Sequence, residues 1–370
     1  MRCDLRYTVE DVPTPAVVID LAAVRRNIAR MAAYCGEHGL KLRPHFKTHK
    51  SVWMAQQQMA AGAMGLTVAK VGEAETIGQL AEDVLLAYPA LDSHRAERLA
   101  KLTRTARVRA AVDSELAVDR LAAAAQAAGV SLGILVELDV GFRRTGVQSA
   151  QRAREIGQHV ARSKGVRLNG LMFFPGHIRT APVDQGPLLK AVEEIVQTTL
   201  AAFAKDGLPA EIVSGGSTPT AYQSHLMRGI TEIRPGTYIY NDMNTMGVGY
   251  CAEADCAARV ICTVVSDAVA GKIVLDGGSK MFSSDALSVL GDTLGHGWLV
   301  GMNPLRVTRL SEEHGEVDVS KSEVRPKLGQ RVAVIPNHIC PCINLQKEVW
   351  LKQEDGSLEP LRVDARGCVV

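Results

Sequence analysis

The stretch Leu42-Arg43-Pro44-His45-Phe46-Lys47-Thr48-His49-Lys50 reads as a short apolar, strand-like run that ends in a lysine among other cationic groups. Neighbouring positive charge and partial desolvation lower an ammonium pKa, and a neutral amine is a nucleophile toward an aldehyde. Taken as a strand over 41–46, the run opens a series of eight β-rich segments. The others lie at 65–69, 84–88, 108–112, 133–138, 168–174, 211–214 and 230–234. Ala/Leu/Gln/Glu-rich segments of helical period separate them, which is the signature of β/α units around a parallel sheet. The segment 114–128, with its Leu-Ala-Ala-Ala-Ala-Gln-Ala-Ala run, is a strong helix former of a length that crosses back over a sheet. Eight such units predict an α/β fold, a (β/α)8 TIM-type barrel over residues 22–250.

Beyond about residue 255 the pattern changes. Runs at 258–265, 272–275, 298–301, 305–310, 330–335 and 348–351 are β-like, separated by Gly, Asp and Asn, with little helical period between them. They predict a mainly antiparallel β domain over 251–370, and a chain of 370 residues is long enough for these two cores. Charge excludes other classes of partner: 42 basic against 40 acidic side chains, with no dense Lys/Arg block, give no electrostatic support for nucleic acid or an anionic membrane. No apolar run reaches the length of a membrane span, and Met1-Arg2-Cys3-Asp4-Leu5-Arg6 lacks a signal-peptide core, so a cytoplasmic protein with a small-molecule partner is expected. Eight scattered cysteines do not make a disulfide scaffold at this size, and most are expected as reduced thiols.

In a barrel of this type, chemistry gathers at the C-terminal ends of the strands, and the loops after strands seven and eight often hold a phosphate. The seventh run leads into Ser214-Gly215-Gly216-Ser217-Thr218-Pro219-Thr220, whose glycines permit close backbone approach and whose amide and hydroxyl groups can cradle an anion. The eighth leads into Arg234-Pro235-Gly236-Thr237-Tyr238 at the same face. Near the C-terminus, Asn337-His338-Ile339-Cys340-Pro341-Cys342 contains a His-x-Cys pair. In a strand-like setting such a pair puts imidazole and thiolate on one face, where both can bind a divalent ion. Two protein ligands leave positions open for water or substrate, as a catalytic metal requires. On spacing alone, a buried cysteine near an unrelated histidine is the commoner meaning of the pattern.

Arg43 to Lys50, following Thr14-Pro15-Ala16-Val17-Val18-Ile19-Asp20, resembles the opening of the alanine-racemase-like (fold type III) pyridoxal-phosphate enzymes, and within them D-threonine aldolase and D-serine dehydratase. The resemblance runs to the C-terminus. It implies that Lys47 carries pyridoxal 5'-phosphate, and that Gly216, Ser217 and Thr218 with the Gly236-Thr237-Tyr238 turn contact its phosphate. Glu137-Leu138-Asp139-Val140-Gly141-Phe142-Arg143-Arg144-Thr145-Gly146 is similar to the family's acidic strand end followed by Arg-x-Gly, which implies that Arg144 reaches the cofactor's phenolate oxygen. Many relatives place a histidine near position 175, where this chain has Pro175, and His177 is the candidate substitute. Ser311-Glu312-Glu313-His314-Gly315 resembles an aldolase segment and nominates His314 near the substrate hydroxyl, while Asp242 is a possible supporting acid on the same barrel face. Aldolase and dehydratase relatives bind a metal through His-x-Asp or His-x-Cys, so the resemblance implies His338 and Cys340 as ligands of zinc, manganese or a similar divalent ion, with Cys342 the weaker candidate. The N-terminal strand joins the β domain by the same resemblance, which adds residues 1–21 to it, and a homodimer is implied.

The expected activity is a lyase acting on D-3-hydroxy amino acids, aldolase-like by a small margin. His-x-Cys leans toward the dehydratases, whereas the Asn-Leu-Gln continuation and the Ser-Glu-Glu-His-Gly segment lean toward the aldolases. A racemase needs no metal. A non-catalytic cofactor carrier would lack the C-terminal β domain.

Overall fold

The computed structural model describes residues 7–370 except 79, 286, 290, 291 and 294; Cys3 and the rest of 1–6 lie outside the described residues. The chain divides into two compact units. One holds Ala29–Lys47, Val52–Gly236 and Cys368–Val370; the other holds residues up to Ile28, Thr48–Ser51 and Thr237–Gly367.

The strands follow in chain order as β1 (Ala16–Asp20), β2 (Lys41–Leu42), β3 (Leu66–Val68), β4 (Asp83–Leu86), β5 (Arg107–Val112), β6 (Leu132–Leu138), β7 (Val166–Phe173), β8 (Ile212–Gly215) and β9 (Glu232–Ile233). Strands β2 to β9 form one parallel sheet in the order β2-β9-β8-β7-β6-β5-β4-β3, so each of the eight expected runs is a strand of it. A parallel bridge between His45 and Thr67 joins its two ends and closes the ring. The first strand is shorter than the run 41–46: Pro44 has no N–H to give, and Phe46–Thr48 turns as a 3-10 helix. The alanine-rich run is the helix Glu115–Ala128, capped by the Ser114 hydroxyl and ended by Gly129 in the left-handed conformation.

Leu85, Ala111, Leu135 and Met172 pack together as a buried apolar cluster from β4, β5, β6 and β7. A buried ion network shares the barrel with them. Arg43 on the chain after β2 grips Glu232 with two nitrogens (2.9 and 3.1 Å) and Asp83 with a third (2.6 Å), and Arg109 pairs with the same Asp83 carboxylate. Glu232 then accepts from Ser214, whose hydroxyl accepts from Arg234 at 2.6 Å. Each charge in this chain finds an opposite partner or a hydroxyl, the condition for burying charge at all.

The second unit contains β1 together with β10 (Ala258–Ser266), β11 (Lys272–Leu275), β12 (Ser288–Val289), β13 (Asp292–Thr293), β14 (Gly297–Leu299), β15 (Arg306–Leu310), β16 (Gly315–Asp318), β17 (Arg331–Pro336), β18 (Glu348–Lys352) and β19 (Leu358–Arg362). Its main sheet runs β11-β16-β15-β14-β17-β10-β1-β18-β19, and a further β10–β11 pairing closes six of the strands into an antiparallel barrel. The N-terminal strand joins this domain as expected, antiparallel to β10 and parallel to β18. Four of its strands escaped the sequence reading, the two-residue β12 and β13 and, in the main sheet, β16 and β19. The Gly-Glu-Val-Asp of β16 is short, and the β19 sequence Leu-Glu-Pro-Leu-Arg carries a proline, which its place at the end of the sheet tolerates. Among the described residues no helix is long and apolar enough to cross a membrane, and all seven described cysteines are free thiols.

Candidate active site

In the barrel unit, Lys47 sits on the 3-10 turn just past β2, exposed, with its backbone N–H on His45 Nδ1. Beyond β6, the Asp139 carboxylate accepts the amides of Gly141 and Arg143 (3.0 and 2.9 Å) and so shapes the loop that presents Arg144. The Arg144 guanidinium lies over two rings, 4.9 Å from the centre of Phe142 and 5.1 Å from that of Phe174. The glycine of Arg-x-Gly is needed here: Gly146 has φ +98°, and a Cβ on it would meet the backbone nitrogen of Asp139 at 2.5 Å. Glu137, at the end of β6, is buried and pushed up by desolvation, against which Thr145 donates a hydrogen bond of 2.8 Å. His177 is exposed in the turn after β7, with its ring against Gly141.

The loop after β8 is built on Gly216 at φ +83°. The Thr220 hydroxyl takes the Ser217 amide (3.1 Å) and touches its hydroxyl (3.0 Å), so part of the expected anion cradle is used internally. Thr218 differs: it is 4 % exposed, and its Oγ1 is buried with no partner among the described residues. A buried hydroxyl left unmet fits a phosphate oxygen, so the residues present suit the cofactor's phosphate end. Gly236 belongs to this unit, whereas Thr237 and Tyr238 belong to the β unit.

In the β unit, β17 ends at Pro336, and the His-x-Cys pair opens a helix rather than lying in a strand. The strand-like setting expected for it is corrected: His338 occupies the N-cap position, and the helix Ile339–Leu345 begins with Cys340 in its first turn. The helix start still brings the two side chains together. His338 hydrogen-bonds the Cys340 thiol on one side, and its Nδ1 meets the Asp285 carboxylate at 2.8 Å on the other. Burial works against an imidazolium here, but Cys340, Asp242 and Asp285 outweigh it and push His338 up to about 10. Cys340 Sγ lies 3.3 Å from the hydroxyl of Thr48, the residue that follows Lys47 in the chain, and 3.7 Å from that of Thr237.

The support for this pair is local. Asn337 donates to the Asp285 carbonyl at 3.0 Å and thereby pins the carboxylate beside His338. Asp242, expected among the barrel loops, instead caps the helix Met243–Gly247 in the β unit and accepts the Ile339 amide at 3.1 Å, so one carboxylate starts two helices. Its carboxyl is raised by burial. Cys342 points away: it is fully buried, its thiol on the carbonyls of Phe282 (3.1 Å) and His338 (3.2 Å). His314 is exposed in the loop 311–314 joining β15 to β16. Among the described residues no three His, Cys, Asp or Glu side chains form a metal cage. An imidazole held by a carboxylate beside a thiol fits the donor set of an open catalytic zinc-type centre that completes its shell with water or substrate. Asp285 and Thr48 were missed by sequence reasoning. Asp285 lies 53 residues from its histidine, and no local pattern signals the pairing.

The alanine racemase N-terminal domain family matches residues 19–244, and a putative serine dehydratase domain matches 257–351. The chain therefore belongs to the alanine-racemase-like family, in the branch that joins this barrel to a serine-dehydratase-type domain. D-threo-3-hydroxyaspartate dehydratase of Delftia sp. (strain HT23) is 33 % identical over 91 % of this chain and 93 % of its own, and its solved structure superposes with a TM-score of 0.88. D-threonine aldolase from Filomicrobium marinum is 30 % identical, with a TM-score of 0.89 over 99 % of both chains. 3-hydroxy-D-aspartate aldolase of Paracoccus denitrificans is 29 % identical over 96 % of this chain and 93 % of its own. A D-threo-3-hydroxyaspartate dehydratase has also been solved with a histidine replaced by alanine and, separately, with a cysteine two positions further on replaced by alanine, the latter in a metal-free form.

Proposed function

We propose that the protein is a pyridoxal-5'-phosphate- and divalent-metal-dependent lyase of D-3-hydroxy amino acids, cleaving the Cα–Cβ bond to give glycine and an aldehyde. The observation that carries this reading is the pair His338 and Cys340, brought together at one helix start with Asp285 on the histidine's far nitrogen. In this proposal the barrel, residues 22–250, binds the cofactor, and residues 1–21 with 251–370 form the β domain that carries the metal. When bound, the cofactor supplies an electron sink for the bond that breaks at Cα. Lys47 holds it through its exposed amine, Arg144 sets a permanent cation at its phenolate oxygen, and Gly216, Ser217, Thr218, Gly236, Thr237 and Tyr238 form the phosphate side, with the unmet Thr218 hydroxyl as the donor. His338 and Cys340 hold the ion, zinc or manganese, whose Lewis acidity acts on the substrate's 3-hydroxyl. Asp285, on His338 Nδ1, fixes the imidazole's orientation and would leave its other nitrogen as the donor available to an ion. His314 and His177, both exposed, are the proton carriers for the hydroxyl. A cytoplasmic homodimer is part of the same proposal.

A second reading, elimination to a 2-oxo acid and ammonia, is favoured by the thiol, because a D-threo-3-hydroxyaspartate dehydratase has a histidine and a cysteine two residues apart, the cysteine variant of which was solved in a metal-free form. There Lys47 would remove the Cα proton and the hydroxyl would leave. Product analysis separates the two. The holoenzyme is offered D-threonine, D-serine and D-3-hydroxyaspartate, with and without EDTA. Glycine plus aldehyde, abolished by EDTA, is the expected result; EDTA-sensitive 2-oxo acid and ammonia would replace it by the second reading, and EDTA-insensitive inversion to the L-isomer would overturn both.

A further inference from the structure

We propose that the N-terminal mouth of the (β/α)8 barrel is a second binding site, for a small oxyanion that also bears a hydroxyl, of which hydrogen phosphate is the simplest. A cavity of about 260 Å³ opens there, lined by Thr103, Arg107, Arg109, Ser131, Arg167 and Asn169. Thr103 and Ser131 precede β5 and β6, and Arg107, Arg109, Arg167 and Asn169 lie in the N-terminal halves of β5 and β7. Lys47, Arg144 and Gly216 follow the opposite ends of their strands, so the cavity is separate from the cofactor site.

Its charge is unbalanced. No acidic side chain lines it, and Asp83, the carboxylate that pairs with Arg109, is already shared with the buried Arg43. Arg107 reaches Asp83 only at 3.9 Å and is 70 % exposed, while Arg167 has no carboxylate partner among the described residues. Among the described residues Arg109 Nε is buried with no acceptor, and Asn169 Oδ1 is buried with no donor. Asn169 is 2 % exposed, so its unmet oxygen is a constructed feature of the interior.

The backbone is shaped to present it. β6 and β7 pair Ile134 with Leu168 and then Leu135 with Gly170, which leaves Asn169 as the extra residue of a bulge, and such bulges re-aim a side chain. Gly170 takes φ +143° to allow the bulge. Across the sheet, a Cβ on Gly133 would sit 2.7 Å from Arg109 Cγ and closer still to Asn169 Oδ1, so the glycine keeps the floor of the cavity open. An oxyanion placed there accepts from Arg109 Nε and the two rim arginines, and its hydroxyl donates to Asn169 Oδ1. The volume lies under the range of about 300–1,000 Å³ typical of larger ligands, which suits an ion of this size. Inorganic phosphate and a small hydroxy dicarboxylate share this chemistry.

Isothermal titration of the holoenzyme tests the site, with the cofactor bound so that its own phosphate cradle is filled. The titrants are inorganic phosphate, malate and sulfate, the last lacking an O–H at neutral pH. Wild type is expected to bind phosphate or malate saturably, with Kd about 1 mM or tighter. The R107Q/R167Q variant, altered only at exposed side chains, is expected to bind at least about tenfold more weakly with unchanged lyase turnover. R167E alone repeats the test if the double variant misfolds. Whichever of phosphate and malate binds tighter names the source of the ligand, and sulfate should bind more weakly than either. Equal affinity in wild type and both variants, no saturable binding of phosphate or malate, or sulfate binding as tightly as phosphate would overturn the proposal.

Discussion

Lys47 and Lys50 stand three residues apart in one motif and have opposite surroundings. Lys47 is exposed, whereas Lys50 is 5 % exposed and donates to Asn344 at 2.7 Å. The motif shows two lysines equally, and only the fold separates an exposed amine from one held in a hydrogen bond. K47A is expected to lower turnover by about 10³-fold or more, the scale on which groups that bond to or carry protons for the reacting centre act, with loss of covalent cofactor on borohydride reduction. K50A should keep the covalent cofactor and lose about 1 kcal/mol in denaturant unfolding, since it removes the partner of a half-buried Asn344. In the proposed site Asp285 would support the metal through His338, whose Nδ1 it meets at 2.8 Å. D285N keeps the size of the side chain but not its charge, and metal affinity measured by competition with a chelator should fall by about 10–100-fold. An unchanged affinity would remove Asp285 from the site.

At the scale of elements, the metal pair depends on one helix start. Asp242 caps Met243–Gly247 through Thr245 at 3.0 Å and holds the Ile339 amide, so removing it undoes two caps together. D242A is expected to cost about 2 kcal/mol in stability, at the upper end for a cap, and to loosen His338 and Cys340, seen as weaker metal retention in the folded protein. Continuous β-rich runs bounded by turn residues marked all eight barrel strands, because a parallel strand buried on both faces has no polar side. The same logic misjudged 336–345: an Ile-Pro-Asn-His-Ile-Cys run reads as strand, yet Pro336 cannot extend the ladder and Asp242, about a hundred residues upstream in the chain, supplies the cap that starts a helix. The His-x-Cys spacing survives this error, since a helix N-terminus also gathers the two side chains.

For the whole molecule, the barrel's ion network was invisible in sequence because Arg43, Asp83, Arg109 and Glu232 come from four separate strands or their ends and meet only when the ring closes. R43M leaves Asp83 and Glu232 buried with reduced compensation and should destabilise the protein by about 3–5 kcal/mol. The network also sets the acid limit. Burial alone would raise Asp83, but Arg43 and Arg109 overcome it and hold the carboxyl below its ordinary value. A depressed folded pKa contributes stability that is present above the unfolded value, near pH ~4, and is lost as pH falls through the folded value. Thermal midpoints should therefore hold at neutral pH and drop below about pH 4, and R43M should flatten that drop. Metal content and D-threonine turnover, measured together in wild type and C340A, decide whether a metal-dependent lyase is built on His338 and Cys340. Roughly one ion per chain is expected in wild type, with loss of both ion and turnover in a folded C340A protein. Undiminished turnover in C340A stripped of metal would contradict this expectation.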